Sequence, residues 1–285
     1  MLAEYPWEEV TEYLGKLRRR TPAVLELVDF AERVLAAQYA FPARPELARL
    51  GTGSRAGRNQ TGSPLATPTE FVVDPEAAGS LFHRLVALFR ERGQEGEEVA
   101  AVLSAAYRHG EPDTGQLLRG VVSGAVDLDR VAADHGLAPE LLDFLVRESV
   151  RPSLECCARE LGAFVEEAAW LRPVCPVCGS EPRYGEVRAE ETTAHRFLTC
   201  AFCGWRWRYY RTGCVFCGGT EAKAVEYLFA EEDPRCKLEC CAKCQRYLKL
   251  VDCKEYFDLI PFLEVLATPH LDLLAQERGY RSSPA

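Results

Sequence analysis

Four Cys-x-x-Cys pairs crowd positions 175 to 244 of a 285-residue chain: Cys175/Cys178, Cys200/Cys203, Cys214/Cys217 and Cys241/Cys244. Such a turn sets two sulfurs on one side of a tight loop. A glycine after the second cysteine helps the loop close, because glycine tolerates positive φ. Gly179, Gly204 and Gly218 hold that place in three of the four pairs. Two turns facing each other supply four thiolates in a tetrahedron, the donor set of zinc or of a rubredoxin-like iron. The steps from Cys175 to Cys200 and from Cys214 to Cys241 are 25 and 27 positions; those from Cys175 to Cys214 and from Cys200 to Cys241 are 39 and 41. The chain thus repeats one unit: clamp, hairpin, clamp, strand. Pairing in sequence order closes each unit on its own metal. Cross-bracing, first clamp with third, is compatible with the same spacing. A closed four-thiolate site leaves no open coordination position, which favours a metal that folds a module over one that hydrolyses a substrate.

Eleven of the thirteen cysteines lie between Cys175 and Cys253, and the other two are Cys156 and Cys157. The opening MLAEYPWEEVTEYLGKLRRR puts acids ahead of bases and has no apolar h-region, so it does not read as a secretory signal. No run approaches the roughly 20 apolar residues of a membrane helix. A cytoplasmic location is expected, and a reducing compartment disfavours disulfides as the explanation for so many thiols. Cys157 falls on an apolar helical stripe and Cys253 reads as a packing residue. Cys236 and Cys240 flank the fourth clamp; Cys241 is preferred over Cys240 as ligand because it alone gives the x2 spacing to Cys244.

The first 170 residues read as helices. Thr21-Pro22 offers a start signal ahead of Val24, Val28, Ala31 and Leu35, and Asp74-Pro75 another ahead of Leu81, Leu85, Val86 and Phe89. Pro139 and Pro152 each open a further segment. Prolines and glycines from 42 to 68 mark a long solvated loop. That loop lacks the Gly-x4-Gly-Lys-Ser/Thr pattern and no strand precedes it, so a nucleotide site is not expected there. After Leu171 the segments shorten, with strand-like alternation at Trp205 to Tyr210. Glu231-Glu232-Asp233 reads as a solvated acidic turn, and from Tyr256 the chain turns helical again, interrupted at Pro261 and Pro269. The fold class expected is α+β: an all-helical domain over 1–171, two tandem rubredoxin-like or zinc-ribbon modules over 172–212 and 213–255, and a short C-terminal helical segment over 256–285.

The formal charge of −9 sits in the helical half: residues 1–170 carry 18 bases and 27 acids, residues 171–285 carry 16 of each. A strongly basic nucleic-acid footprint is therefore absent at the level of net charge. Arg206, Arg208 and Arg211, interleaved with Trp205, Trp207, Tyr209 and Tyr210, fit a strand with one face in the ribbon core. The same pattern fits a recognition strand for a protein segment or single-stranded nucleic acid. His195 stands five positions before Cys200, which matches no standard ligand spacing, and no nucleophilic or paired-carboxylate arrangement is found.

CPVCGSEP at 175–182, HRFLTCAFCGWRWRYYRTGCVFCG at 195–218, CCAKCQRYLKLVD at 240–252 and LDLLAQERGY at 271–280 resemble, in that order, the FdhE family of formate dehydrogenase accessory proteins. The resemblance implies an assembly factor without turnover of its own. Its partner would be the catalytic subunit of a molybdenum- or tungsten-dependent formate dehydrogenase, met in the cytoplasm. The family's eight clamp cysteines carry over to the eight above, and iron is associated with the family, while spacing alone leaves iron and zinc open. Trp207 and Arg211 match its Trp-x3-Arg-x2-Cys stretch, Tyr247 and Asp252 its Tyr-Leu-Lys-x-x-Asp stretch; these four are the candidate partner-binding residues. Gln245 departs from the family glycine after the fourth clamp, and Cys236, Cys240 and Cys253 crowd the second site. A zinc-ribbon nucleic-acid binder and a rubredoxin-like redox protein are the alternative functions.

Overall fold

The computed structural model describes residues 4–44, 55, 57–107, 112–190, 193–219, 225–231 and 233–282. Glu232 and most of 45–56, within the sequences assigned above to an acidic turn and to a loop, lie outside them. Among the described residues seven α-helices come first: α1 (Trp7–Arg20), α2 (Leu25–Ala40), α3 (Pro75–Arg90), α4 (Gln94–Ala106), α5 (Pro112–Val122), α6 (Leu128–Asp134) and α7 (Pro139–Gly162). Asp74 caps α3 as the sequence suggests, accepting from the backbone N–H of Glu76 and Ala77. Thr21 does otherwise. Its hydroxyl donates back to Leu17 O and so closes α1, and a 3-10 turn over Pro22–Val24 delays α2 to Leu25.

The two helices expected from Pro139 and Pro152 are one, with Pro152 inside it. Pro152 has no N–H for the carbonyl four residues back, which normally breaks a helix. That carbonyl, Glu148 O, instead accepts a hydrogen bond of 3.0 Å from the Gln38 side-chain amide of α2. Tertiary structure thus fills the gap that proline leaves.

The second half is one six-stranded sheet built from two copies of the repeated unit. Strands β1 (Pro182–Glu190), β2 (Thr193–Cys200) and β3 (Arg206–Tyr209) come from the first; β4 (Val225–Ala230), β5 (Asp233–Cys241) and β6 (Arg246–Asp252) from the second. Their order is β3-β2-β1-β6-β5-β4. Within each unit the pairs are antiparallel. At the seam β1 runs parallel to β6, with Tyr184 to Val187 opposite Lys249 to Asp252. The buried pair Arg196–Glu239 spans this seam from β2 to β5. Two short helices follow, α8 (Pro261–Leu266) and α9 (Pro269–Glu277). Pro261 and Pro269 open these helices rather than interrupting one, since the first turn needs no N–H from them.

Two apolar clusters result. The larger joins α3 to α7 with the first pair of clamps, through residues such as Phe82, Leu145, Leu161, Trp170 and Trp207. The second joins α1, with Val10, Leu14 and Leu17, to β5, β6, α8 and α9.

Candidate metal centres

The eight clamp cysteines gather into two groups in sequence order: Cys175, Cys178, Cys200 and Cys203, then Cys214, Cys217, Cys241 and Cys244. In each group all four sulfurs lie within 4.8 Å of one another. Cys175–Cys203 and Cys178–Cys200 are 3.7 and 3.4 Å apart, Cys214–Cys244 and Cys217–Cys241 3.7 Å each. A tetrahedron with metal–sulfur bonds of about 2.3 Å has edges of about 3.8 Å. Both groups have the size and the soft donors to hold a metal ion.

Three of the four clamps are closed by the same hydrogen bond. The residue after the second cysteine donates its N–H to the carbonyl of the first: Gly179 to Cys175 and Gly218 to Cys214 at 2.9 and 3.0 Å, and Gln245 to Cys241 at 2.9 Å. Gly179, Gly204 and Gly218 all take positive φ, and so does Gln245, at 57°. The glycine that the sequence lacks at 245 is thus replaced by a side chain held in the left-handed region. The Gln245 amide donates to Ala242 O at 2.6 Å, which ties down the strained turn.

Cys240 and Cys241 are neighbours on β5 and face opposite ways. Cys240 is fully buried in the second apolar cluster, and burial pushes its thiol up to about 12. Burial also raises Cys241, but backbone N–H groups of Cys244 and Lys243 outweigh it and bring the thiol down to about 7. The strand alternation therefore sends one sulfur to the core and one to the site. Burial likewise lifts Cys157, Cys236 and Cys253, to about 11, 11 and 12. None of these belongs to a metal-sized group among the described residues.

The two centres differ in cover. The first is fully enclosed. Residues 59–66, part of the expected solvated loop, strap its knuckle: Leu65 and Ala66 donate backbone N–H to Pro176 O and Val177 O at 2.9 and 2.8 Å. Asn59, 1% exposed, donates its amide to Pro176 O at 3.1 Å. Phe71 packs edge-on against Phe202 of the second knuckle. The solvated reading fails here because these glycines and prolines shape a loop that hugs the clamp, and sequence pattern reports turns, not what they rest on. In the second centre Cys217 is exposed and Cys244 half-buried. Over it, the Arg246 guanidinium lies 3.8 Å from the Phe216 ring centre and pairs with Glu181, just past the first clamp. Sequence reading had no signal for Asn59, Leu65 or Arg246, which act across the fold.

Two of the four candidate partner-binding residues are buried in different cores. Trp207 is 2% exposed in the first core and donates to Arg172 O; Tyr247 is 5% exposed in the second core and donates to Asp272. Asp252 is half-buried and caps the turn at Lys254 and Glu255. Arg211 is exposed. On β3, Arg206 is paired with Glu186 and stacked on Phe197. His195 lies outside both cysteine groups.

Fold and site together define a helical region followed by a duplicated four-cysteine sheet. Residues 174–211 match the description "FdhE, central domain" and residues 213–285 "FdhE, C-terminal domain". Over these residues the chain is similar to the FdhE family. Two relatives bear the name "Protein FdhE homolog". That of Aquifex aeolicus is 30% identical over 184 residues, 63% of this chain and 64% of the relative. That of Stutzerimonas stutzeri is 37% identical over 118 residues, 39% of this chain and 37% of the relative. The matched stretch is thus less than two thirds of either relative. The crystal structure of the FdhE protein from Pseudomonas aeruginosa shares the fold, with a TM-score of 0.63 and 23% identity, covering 98% of this chain and 94% of that one.

Proposed function

We propose that the chain is an accessory protein for formate dehydrogenase formation, with no turnover of its own. It would bind the catalytic subunit of a molybdenum- or tungsten-dependent enzyme in the cytoplasm. The observation that carries this is the match of both halves of the sheet to the FdhE domains, four-cysteine groups included. In this reading Cys175, Cys178, Cys200 and Cys203 hold one metal ion and Cys214, Cys217, Cys241 and Cys244 a second, iron or zinc. Four thiolates leave each metal no open position, so its contribution is to fold the module. The division 1–171, 172–212, 213–255 and 256–285 is part of the same proposal, and the break between the family matches at residue 212 supports its middle boundary.

Two features weigh against nucleic acid as partner. On β3, Arg206 is neutralised by Glu186 and Trp207 is buried, so the strand does not present an aromatic platform for bases. No helix among the described residues is long and apolar enough to cross a membrane.

The test is an anaerobic, nuclease-treated pull-down of the tagged chain from its host, with partners identified by mass spectrometry. Recovery of a formate dehydrogenase catalytic subunit, lost with Cys214→Ser/Cys217→Ser, is the expected result. Ribosomal or polymerase partners alone would replace this reading with the nucleic-acid one.

A further inference from the structure

Helices α2 and α7, strands β1 and β6 and helices α8 and α9 enclose a cavity of about 540 Å³. That is within the ~300–1,000 Å³ of ligand pockets. Leu27, Phe30, Val34, Phe144 and Phe262 give it an apolar wall, and Leu27 at 37% exposure lies where it meets solvent. Five charged side chains also line it: Glu148, Arg151, Arg183, Lys249 and Asp272.

Four of the five are spoken for. Arg151 is bidentate on Glu148 at 2.7 and 2.8 Å. Lys249 is held at 2.7 Å by Asp272 and by the carbonyls of Val265 and Thr268. Arg183, at the start of β1, is exposed and has no hydrogen-bond or ion-pair partner among the described residues. The neighbouring Arg151 charge holds its pKa below the usual guanidinium value; Glu148 pulls the other way but is already engaged. Three cations face two anions, which leaves one positive charge on an otherwise apolar surface. A phosphate would bring close to two negative charges against Glu148 and Asp272; one carboxylate balances the site.

We propose that this cavity takes an apolar peptide segment bearing one carboxylate, which forms a two-point pair with Arg183 while its apolar side chains lie against α2 and α8. Arginine's planar fork suits a carboxylate. That the ligand is a peptide rests on the accessory-protein reading above; the charge and the apolar wall do not.

The experiment is a fluorescence titration of the metal-loaded full chain with 1-anilinonaphthalene-8-sulfonate, an apolar monoanion. Wild type should bind one probe. Arg183→Gln, and Leu27→Glu at the rim, should each weaken binding at least tenfold, with circular dichroism unchanged. Arg208→Gln, exposed on β3 away from the cavity, should bind as wild type. Displacement by acetyl-Leu-Leu-Phe but not by its C-terminal amide supports a peptide carboxylate. Displacement by decanoate alone overturns the peptide assignment. No probe binding, or equal binding by Arg183→Gln and Leu27→Glu, overturns the site. Probe binding as expected with no formate dehydrogenase subunit captured would sink the accessory reading while leaving the cavity standing. The reverse pattern would sink the cavity alone.

Discussion

Gln38 on α2 donates its amide to the backbone carbonyl and the carboxylate of Glu148 on α7, at 3.0 and 2.8 Å. The carbonyl is the one that Pro152 deprives of its helical partner. Gln38→Ala would leave that buried acceptor unmet and cost about 1–3 kcal/mol in urea unfolding. In a Pro152→Ala background the helix supplies its own N–H, so the same substitution should cost measurably less. Equal costs in both backgrounds would show that Gln38 acts only by packing.

The Glu148 carboxylate titrates far from its ordinary value. Burial alone would raise it, but the Arg151 guanidinium outweighs burial, and the pKa falls from 4.5 to about 2. A depressed carboxylate stabilises the fold above its unfolded pKa and loses that contribution as pH falls through the folded one. The stability gap between wild type and Glu148→Gln should therefore be full at pH 7, on the order of 3 kcal/mol, and shrink between pH 4.5 and about 2. A gap that stays constant across that window would contradict the assignment.

Arg196 and Glu239, 1% and 4% exposed, join the two copies of the repeat. Removing one partner of a buried ion pair strands the other, at about 3–5 kcal/mol. Arg196→Met and Glu239→Met should each lower the urea midpoint strongly, and the double variant should lose far less than their sum.

The knuckle at Gln245 has a left-handed residue other than glycine, at φ 57°. Gln245→Gly should raise stability by roughly 1 kcal/mol, because strain of that order is relieved. Gly179→Ala should do the opposite: φ is 78° and the new methyl would sit 2.9 Å from Pro64. Thermal unfolding of metal-loaded protein reads both signs.

Unequal cover predicts unequal metal loss. With Cys217 exposed and the first four cysteines buried, a chelator should strip one equivalent quickly and the other only as the protein unfolds. Cys217→Ser should remove the fast phase, and Cys175→Ser the slow one. A single phase in wild type would contradict the difference in cover.

The metal groups were legible because a Cys-x-x-Cys turn is a local object, and four of them at matched spacing leave few ways to pair. Cys241 over Cys240 followed from the same local geometry. What the sequence hid depends on distant partners. Pro152 reads as a helix start until Gln38, 110 positions before Glu148, is seen to supply the donor that the Glu148 carbonyl lacks. The loop around Gly57, Gly62 and Pro64 reads as solvent-facing until Asn59, Leu65 and Ala66 are seen to donate to Pro176 and Val177. Arg183 looks like any surface arginine until the cavity beside it is seen.

The place of α1 has a consequence for how the chain is made. Its buried face, Val10, Tyr13, Leu14 and Leu17, is covered by strands and helices from the other end, and Tyr13 bonds to Glu264, 251 positions away. A ribosome adding about 5–20 residues per second takes roughly 10–50 seconds to reach that partner. For that time α1 lacks the cover that α8 and α9 later give its apolar side. Its docking must wait for residues 236–280, and holding that helix in the interval is work for whatever greets the nascent chain.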